Sequence, residues 1–137
     1  MIVADTGAIY ALIDTRERNY EILRRLFESN PKAWVLPWAI LPEVDYLIAK
    51  YLGVKSQERF LSDLAEGLLS VAWGDERDLV AAHRINARYA SLGLGFVDSV
   101  VLAVAERLEA EAIATLDLRH FGAVKIKGDP KLLPRDL

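Results

Sequence analysis

Three aspartates lie where the sequence changes from a buried apolar segment to a loop or to the start of a helix. Asp5 follows the apolar run Ile2–Ala4, and Asp117 follows the run Ala112–Leu116. Asp98 lies in the first turn of a segment that is apolar on nearly every side, and a helix of that kind is buried. A carboxylate in such surroundings is costly unless it is paired, hydrogen-bonded or bound to a metal ion. These three positions are therefore candidates for carboxylate chemistry.

Two further acids follow the second apolar run. Glu43 and Asp45 flank Val44, which is at the centre of the apolar stripe of a helix predicted over Ile40–Leu52. At about 100° per residue the two acids flank that stripe symmetrically. Spacing therefore leaves open which of them faces a pocket, and each could equally be an acid at the boundary with solvent.

The elements that must position these acids alternate along the chain. Short apolar runs predict strands over residues 2–4, 33–36, 68–73 and 112–116, with a fifth, edge strand over 124–126. Helical spacing predicts helices over residues 9–13, 16–29, 40–52, 56–66, 76–91 and 96–110. Strands separated by helices favour a parallel sheet. We therefore expect an α/β fold, a single three-layer α/β/α domain over residues 1–137 with a central parallel sheet of four to five strands.

The expected sheet brings the candidate acids together. Ligands of open parallel sheets bind beyond the carboxyl ends of the strands, at a switch point in strand order, and Asp5 and Asp117 both follow strand ends. Several carboxylates in one place repel one another, and a hard divalent cation such as Mg²⁺ or Mn²⁺ relieves that repulsion. A pair of such ions suits in-line displacement at phosphorus and requires neither histidine nor cysteine. The sequence contains only His83 and His120, and no cysteine.

Composition excludes several classes of protein. The absence of cysteine excludes disulfides, thiolate zinc sites and a cysteine nucleophile. The first residues lack the pattern of a signal peptide, and no apolar run is long enough to span a bilayer, so we expect a cytoplasmic protein without membrane contact. The net charge of −3 argues mildly against phosphate binding through basic side chains alone. It does not argue against phosphate contacts made through cations.

Four short segments together resemble the PIN-domain family, and within it the VapC-type toxins of prokaryotic toxin–antitoxin pairs. The segments are Val3-Ala4-Asp5-Thr6, Pro42-Glu43-Val44, Phe96-Val97-Asp98-Ser99, and Ala114-Thr115-Leu116-Asp117 followed by Arg119-His120-Phe121. Each segment alone is a weak signal, but their order, spacing and placement are fairly specific. The resemblance covers essentially the whole chain.

The resemblance implies a metal-dependent endoribonuclease that cleaves RNA phosphodiester bonds with Mg²⁺ or Mn²⁺. The family's catalytic and metal-binding acids correspond to Asp5, Glu43, Asp98 and Asp117, so the resemblance selects Glu43 over Asp45. Hydroxyls around the family's metal site correspond to Thr6 and Thr115, with Ser99 a weaker candidate for the same supporting role. The family also implies an RNA substrate, a cognate antitoxin protein and a homodimer.

Other functions remain open at this point. A PIN-fold nuclease of RNA processing, which is not a toxin, would share the same residues. Another Mg²⁺-dependent phosphoester hydrolase is an alternative, although the phosphatases considered carry a second acid where this chain has Gly7. A non-catalytic binding domain would be expected to lack some of the four acids. A nucleotide-binding unit is disfavoured because the Gly93-Leu94-Gly95 segment follows a predicted helix instead of a strand. A serine triad at Ser99 lacks the surrounding elbow motif.

Overall fold

The computed structural model describes all residues from 1 to 137, and five strands form one parallel sheet. The strands are β1 (Ile2–Ala4), β2 (Trp34–Pro37), β3 (Ser70–Ala72), β4 (Ala112–Ala114) and β5 (Lys131–Leu133). The helices are α1 (Thr6–Ile13), α2 (Tyr20–Ser29), α3 (Leu41–Tyr51), α4 (Val54–Ala65), α5 (Glu76–Arg88), α6 (Gly95–Arg107) and the one-turn α7 (Leu118–Phe121). Together these elements make a three-layer α/β/α domain, as the alternating pattern predicts.

The strand order places a switch point beside the first strand. The order across the sheet is β3-β2-β1-β4-β5, so the chain moves outward from β1 on one side and then returns to build the other side. The crevice between β1 and β4 is therefore where ligands of such sheets bind. In this register Ala4 is level with Ala114, which brings Asp5 next to Thr115 at the carboxyl edge. The Asp5 backbone N–H extends the pairing by donating to the Ala114 carbonyl at 3.0 Å.

The central strands are buried because helices cover both faces of the sheet. Val3 and Ala4 of β1 and Ile113 and Ala114 of β4 are at most 1% exposed. Such strands contain almost only apolar residues, without the polar alternation of a half-exposed strand. Helices α5 and α6 form the most extensive helix pair, while α1 packs on α2 and α3, and α3 packs on α4. No helix combines the length and the apolar character needed to cross a membrane.

The prediction of a fifth strand over residues 124–126 is wrong, because the edge strand is β5. A parallel neighbour of β4 requires the chain to return first to the amino edge of the sheet, and residues 115–123 are too few for that return. Residues 123–130 instead run along the helices. The Lys125 N–H donates to the Tyr89 hydroxyl at 3.0 Å, and the Lys127 N–H donates to Glu106 at 3.0 Å. The side chains of Tyr89, directly after α5, and Glu106 of α6 therefore accept hydrogen bonds from this backbone, which pairs with no strand.

Candidate metal centre

Asp5 is fixed at the junction of β1 and α1. It is the N-cap of α1, and its Oδ1 accepts a hydrogen bond from the Ala8 N–H at 3.0 Å. Its Oδ2 accepts a bond of 2.6 Å from the Thr115 hydroxyl, which follows β4. The residue is only 7% exposed. Asp5 therefore has one donor on each carboxylate oxygen, and the remaining lone pairs face a nearly dry environment.

Thr115 connects two of the acids. Its hydroxyl donates to Asp5 and accepts the backbone N–H of Asp117 at 3.0 Å. Asp117 in turn is the N-cap of α7 and accepts the His120 N–H at 3.1 Å through Oδ1. Strand β4 ends at Ala114, so Asp117 lies slightly further from the strand than the sequence predicts. The buried hydroxyl of Thr115 therefore connects the Asp5 carboxylate to the backbone of Asp117.

Asp98 approaches from the first turn of α6, opposite α7. Its Oδ2 lies 2.6 Å from His120 Nδ1, and the Oδ2 of Asp117 lies 3.2 Å from the same nitrogen. Ligand atoms of the three residues all lie within 4.8 Å of one another. Asp98 and His120 are half-buried, while the Asp117 side chain is 41% exposed. Two carboxylates and one imidazole thus converge at the open end of the crevice.

The two acids of α3 face in different directions. Glu43 is exposed and accepts a hydrogen bond of 2.6 Å from the hydroxyl of Thr6, the first residue of α1. Asp45 instead accepts bonds from Gln57 of α4, at 3.1 Å to each oxygen. Glu43 is therefore the α3 acid on the Asp5 side of the helix.

Negative charge exceeds positive charge at this site, and the pKa values of two of its acids are raised. Burial raises the pKa of Asp5 to about 6, a net value that includes opposing hydrogen bonds from Thr115 and Ala8 and smaller upward effects of the Asp98 and Asp117 charges. Burial likewise raises the pKa of Asp98, with added repulsion from Asp117 and Glu43 and an opposing effect of His120.

The four acids have no strong cationic partner. No lysine or arginine nitrogen lies within 4.0 Å of any of them, and His120 is the only basic side chain that contacts them. Oxygen donors at this density match the ligands that hard divalent cations such as Mg²⁺ and Mn²⁺ take in proteins. The donor set therefore fits a divalent cation, with Asp98, Asp117 and His120 already grouped around one position.

Ser99 lies apart from this group of acids. Its hydroxyl is buried, makes no hydrogen bond within the protein, and adjoins a cavity between α5 and α6 together with Phe96 and His83. Thr6 and Thr115 each donate a hydrogen bond to one of the four acids, while Ser99 does not. The supporting role predicted for these three hydroxyls stays a prediction.

His120 is a member of the site that the sequence prediction does not include. The signal is present in the sequence, because Asp117 and His120 are three residues apart and side chains at that spacing share one face of a helical turn. The sequence prediction omits His120 because carboxylate oxygens alone are sufficient to bind Mg²⁺ or Mn²⁺. Its contact with Asp98 depends on the packing of α6 beside α7, which no local pattern reveals.

Comparison with known proteins agrees with this fold. The model of the PIN domain family matches residues 2–127. Ribonuclease VapC26 of Mycobacterium tuberculosis is 30% identical over 124 residues, which cover 90% of this chain and 92% of that protein.

Solved structures of similar shape include a toxin and a DNA-bound complex. M. tuberculosis VapC20, described as a toxin that cleaves the sarcin-ricin loop, superposes with a TM-score of 0.81 at 18% identity, over 93% of this chain and 98% of that one. DNA-bound VapBC from Salmonella typhimurium superposes with a TM-score of 0.72 at 20% identity, over 96% of this chain and 95% of that one. At these identities the structures establish the fold alone. The family match and the sequence relative go further, and they confirm the resemblance drawn from the four short segments: the chain belongs to the PIN-domain family.

Proposed function

We propose that the chain is an endoribonuclease that depends on Mg²⁺ or Mn²⁺ and serves as the toxin of a toxin–antitoxin pair. The observation that carries this proposal is the group of four acids at the β1–β4 switch point, which have no lysine or arginine partner. The sequence relative that is a ribonuclease supports RNA as the substrate. A catalytic site with its own lysine or arginine could neutralise the phosphate directly. This site has neither beside its acids, so a bound cation would have to supply the positive charge.

The four acids bind the cation in this proposal. Asp5, Asp98 and Asp117 hold the cation, and Glu43 holds it directly or through a water molecule. A cation held by these acids would lower the pKa of a water molecule and would neutralise negative charge on the phosphate.

Hydroxyls keep these acids in place. Thr115 fixes the rotation of the Asp5 carboxylate through its bond of 2.6 Å, and Thr6 directs Glu43 through a bond of the same length. Preorganised carboxylates of this kind lose little freedom when they take up a ligand. A supporting role for Ser99 stays a prediction, because its hydroxyl has no partner among the acids.

The partners proposed are a cognate antitoxin protein and a second copy of the chain. Structures of similar fold include VapBC and FitAB assemblies and a toxin–antitoxin complex from Klebsiella pneumoniae, and this favours an antitoxin that binds the present chain. Light scattering on the purified protein tests the homodimer. Co-expression with the neighbouring open reading frame, followed by purification on a tag carried by this chain, tests the antitoxin.

The nuclease proposal is tested by incubating the partner-free protein with a mixed pool of single-stranded RNA. Parallel reactions contain Mg²⁺, Mn²⁺ or EDTA. We expect cleavage with either cation, none in EDTA, and a loss of at least a hundredfold in Asp98→Asn and Glu43→Gln, in line with removal of a group that stabilises the transition state.

The matched control is Asp45→Asn, which removes an acid from the same helix as Glu43 but on the side that faces α4. This variant should cleave RNA like the wild type. Equal losses in Glu43→Gln and Asp45→Asn would contradict the role given to Glu43. Hydrolysis of a small chromogenic phosphate ester without cleavage of RNA would replace the nuclease by a phosphatase.

A further inference from the structure

The one-turn helix α7 presents an aspartate and a histidine as a rigid pair. Asp117 Oδ1 accepts the backbone N–H of His120, and this leaves Asp117 Oδ2 only 3.2 Å from the imidazole Nδ1. The next residue, Phe121, is 3% exposed and anchors the turn in the core. The backbone of His120 is therefore fixed within its own turn, and its imidazole is largely buried.

His120 Nδ1 also lies close to Asp98 of α6. His120 Nδ1 is 2.6 Å from Asp98 Oδ2, and the His120 side chain is only 17% exposed. Neighbouring ligands in an octahedron with bonds of about 2.1 Å lie roughly 3 Å apart. The separations of 2.6 and 3.2 Å around Nδ1 are close to that spacing. Ligand atoms of Asp98, Asp117 and His120 all lie within 4.8 Å of one another, so one cation could contact all three side chains.

An imidazole changes which cation such a shell prefers. Carboxylate and water oxygens suit Mg²⁺, which dehydrates reluctantly and is bound almost entirely through oxygen. Imidazole nitrogen suits first-row transition ions instead, and their affinity for mixed nitrogen and oxygen sites rises along the series from Mn²⁺. A shell of two carboxylates and one imidazole should therefore discriminate against Mg²⁺.

We propose that His120 donates an imidazole nitrogen to the cation held by Asp98 and Asp117, and that this nitrogen makes the site selective for transition ions over Mg²⁺. The inference rests on the proposed function for the location of the cation, and it adds a ligand and a preference that the four acids alone do not have. The alternative is that His120 only pairs with the acids while no cation is bound, and turns away when one binds.

Pulsed electron paramagnetic resonance of the Mn²⁺-loaded, full-length protein separates these two possibilities. A nitrogen ligand gives a hyperfine coupling from the imidazole, whereas a shell of oxygen alone does not. The sequence has only two histidines and no cysteine, so the assignment needs few variants. We expect the coupling in the wild type and its loss in His120→Asn. His83→Asn is the matched control, because His83 is exposed on α5, and this variant should keep the coupling.

Binding isotherms give the preference itself. We expect His120→Asn to weaken Mn²⁺ binding roughly tenfold or more, as loss of groups around a metal commonly does, while Mg²⁺ binding changes less than threefold. His120→Gln, which is longer and keeps a polar tip, should behave in the same way, and circular dichroism of both variants checks that they fold. Equal losses for Mn²⁺ and Mg²⁺ would overturn the selectivity.

The outcomes also separate this inference from the proposed function. Absence of nitrogen coupling in the wild type, or its persistence in His120→Asn, would overturn the inference, even if the protein cleaves RNA with either cation. Nitrogen coupling in a protein that cleaves no RNA would support the ligand and contradict the nuclease. Failure to bind Mn²⁺ at all would overturn both.

Discussion

The Thr115 hydroxyl acts on two acids at once, since it donates to Asp5 Oδ2 and accepts the Asp117 N–H. Replacing it with valine keeps the shape of the side chain and leaves both groups without a partner. We expect Thr115→Val to lower the free energy of unfolding by about 1–3 kcal/mol, the usual cost of a buried polar group left unsatisfied. Cleavage of RNA should fall about 10–100-fold, because a group that orients a ligand is lost.

Thr115→Ser is the control for this change, because it keeps the hydroxyl and removes only a methyl group. Urea denaturation and initial rates at several cation concentrations measure the two effects. A valine variant that equals the serine variant in apparent cation affinity would show that the hydroxyl does not organise the site.

Asp5 gives the cation-free protein a characteristic dependence on pH. Its pKa is about 6 in the folded protein against an ordinary value of 3.8, so the folded state holds this proton more tightly than the unfolded state. The contribution of Asp5 is fully present below about pH 4 and is lost as the pH rises towards 6 and beyond. The whole shift corresponds to about 3 kcal/mol, of which about 1 kcal/mol is lost between pH 5 and pH 7.

We therefore expect the unfolding free energy in EDTA to decrease from pH 5 to pH 7 in the wild type, and to decrease less in Asp5→Asn. Denaturant titrations at the two pH values measure the difference, and Asp45→Asn serves as the reference variant. Parallel behaviour of Asp5→Asn and the wild type would mean that Asp5 titrates near its ordinary pKa in the fold.

At the scale of single residues, the sequence predicts the acids that end strands and misses contacts between elements. Asp5 and Asp117 can be placed because a carboxylate after a buried strand has a defined position in a parallel sheet. Glu43 and Asp45 cannot be separated by periodicity, because their surroundings depend on α1 packing on one side of α3 and α4 on the other. The resemblance to a family selects Glu43, and the structure puts Glu43 beside Thr6.

At the scale of elements, an ion pair connects the two helices that cover one face of the sheet. Asp78 of α5 is 1% exposed and receives two hydrogen bonds from Arg107 of α6, at 2.7 and 3.1 Å. The Trp38 indole N–H also points at this carboxylate, at 3.4 Å. Because α6 carries Asp98 at its other end, this pair helps fix the helix from which the site acid projects.

We expect Arg107→Met to destabilise the protein by about 3–5 kcal/mol, because it leaves Asp78 buried without its charged partner. Arg84→Met is the matched control. It removes the partner of Glu106 in the same helix pair, but Arg84 is 56% exposed, and its loss should cost no more than about 1 kcal/mol. Thermal and urea unfolding measure both changes. Similar losses in the two variants would show that burial of Asp78 does not dominate the energetics of this pair.

The errors among the elements also have a physical cause. The apolar residues near position 124 resemble a strand because Val124 is buried, but the backbone N–H groups there donate to the side chains of Tyr89 and Glu106. Apolar periodicity reports burial, and it cannot report which partner a backbone N–H finds. The strands at the centre of the sheet are predicted well because they are buried on both faces, whatever the partner.

At the scale of the whole molecule, a chain with a net charge of −3 concentrates uncompensated acids at one edge of its sheet. A cation that binds only the folded state should stabilise the whole domain. At a hundredfold excess over its dissociation constant the gain is about 2.7 kcal/mol, or roughly 10 °C in Tm for a domain of this size. We expect this shift with Mn²⁺ in the wild type and in Asp45→Asn, and little of it in Asp98→Asn. A full shift in Asp98→Asn would place the cation elsewhere.

The architecture as a whole is the part that the sequence predicts best. Alternation of strands and helices leads to a parallel three-layer fold, and the strand order then defines where the crevice lies. What the sequence cannot supply is the convergence of α6 and α7 at that crevice, because those contacts depend on the packed state of the entire domain.

The hydrogen bond between Thr115 and Asp5 joins positions near opposite ends of the chain, 110 residues apart in sequence. A ribosome that synthesises this protein makes β1 early and the segment that carries Asp117 late, and contacts of such long sequence separation form slowly. No prematurely terminated product that stops before Asp117 contains the complete set of acids. If the domain cleaves RNA, the growing polypeptide is harmless to the message being translated and to the ribosome until that last segment has folded beside β1.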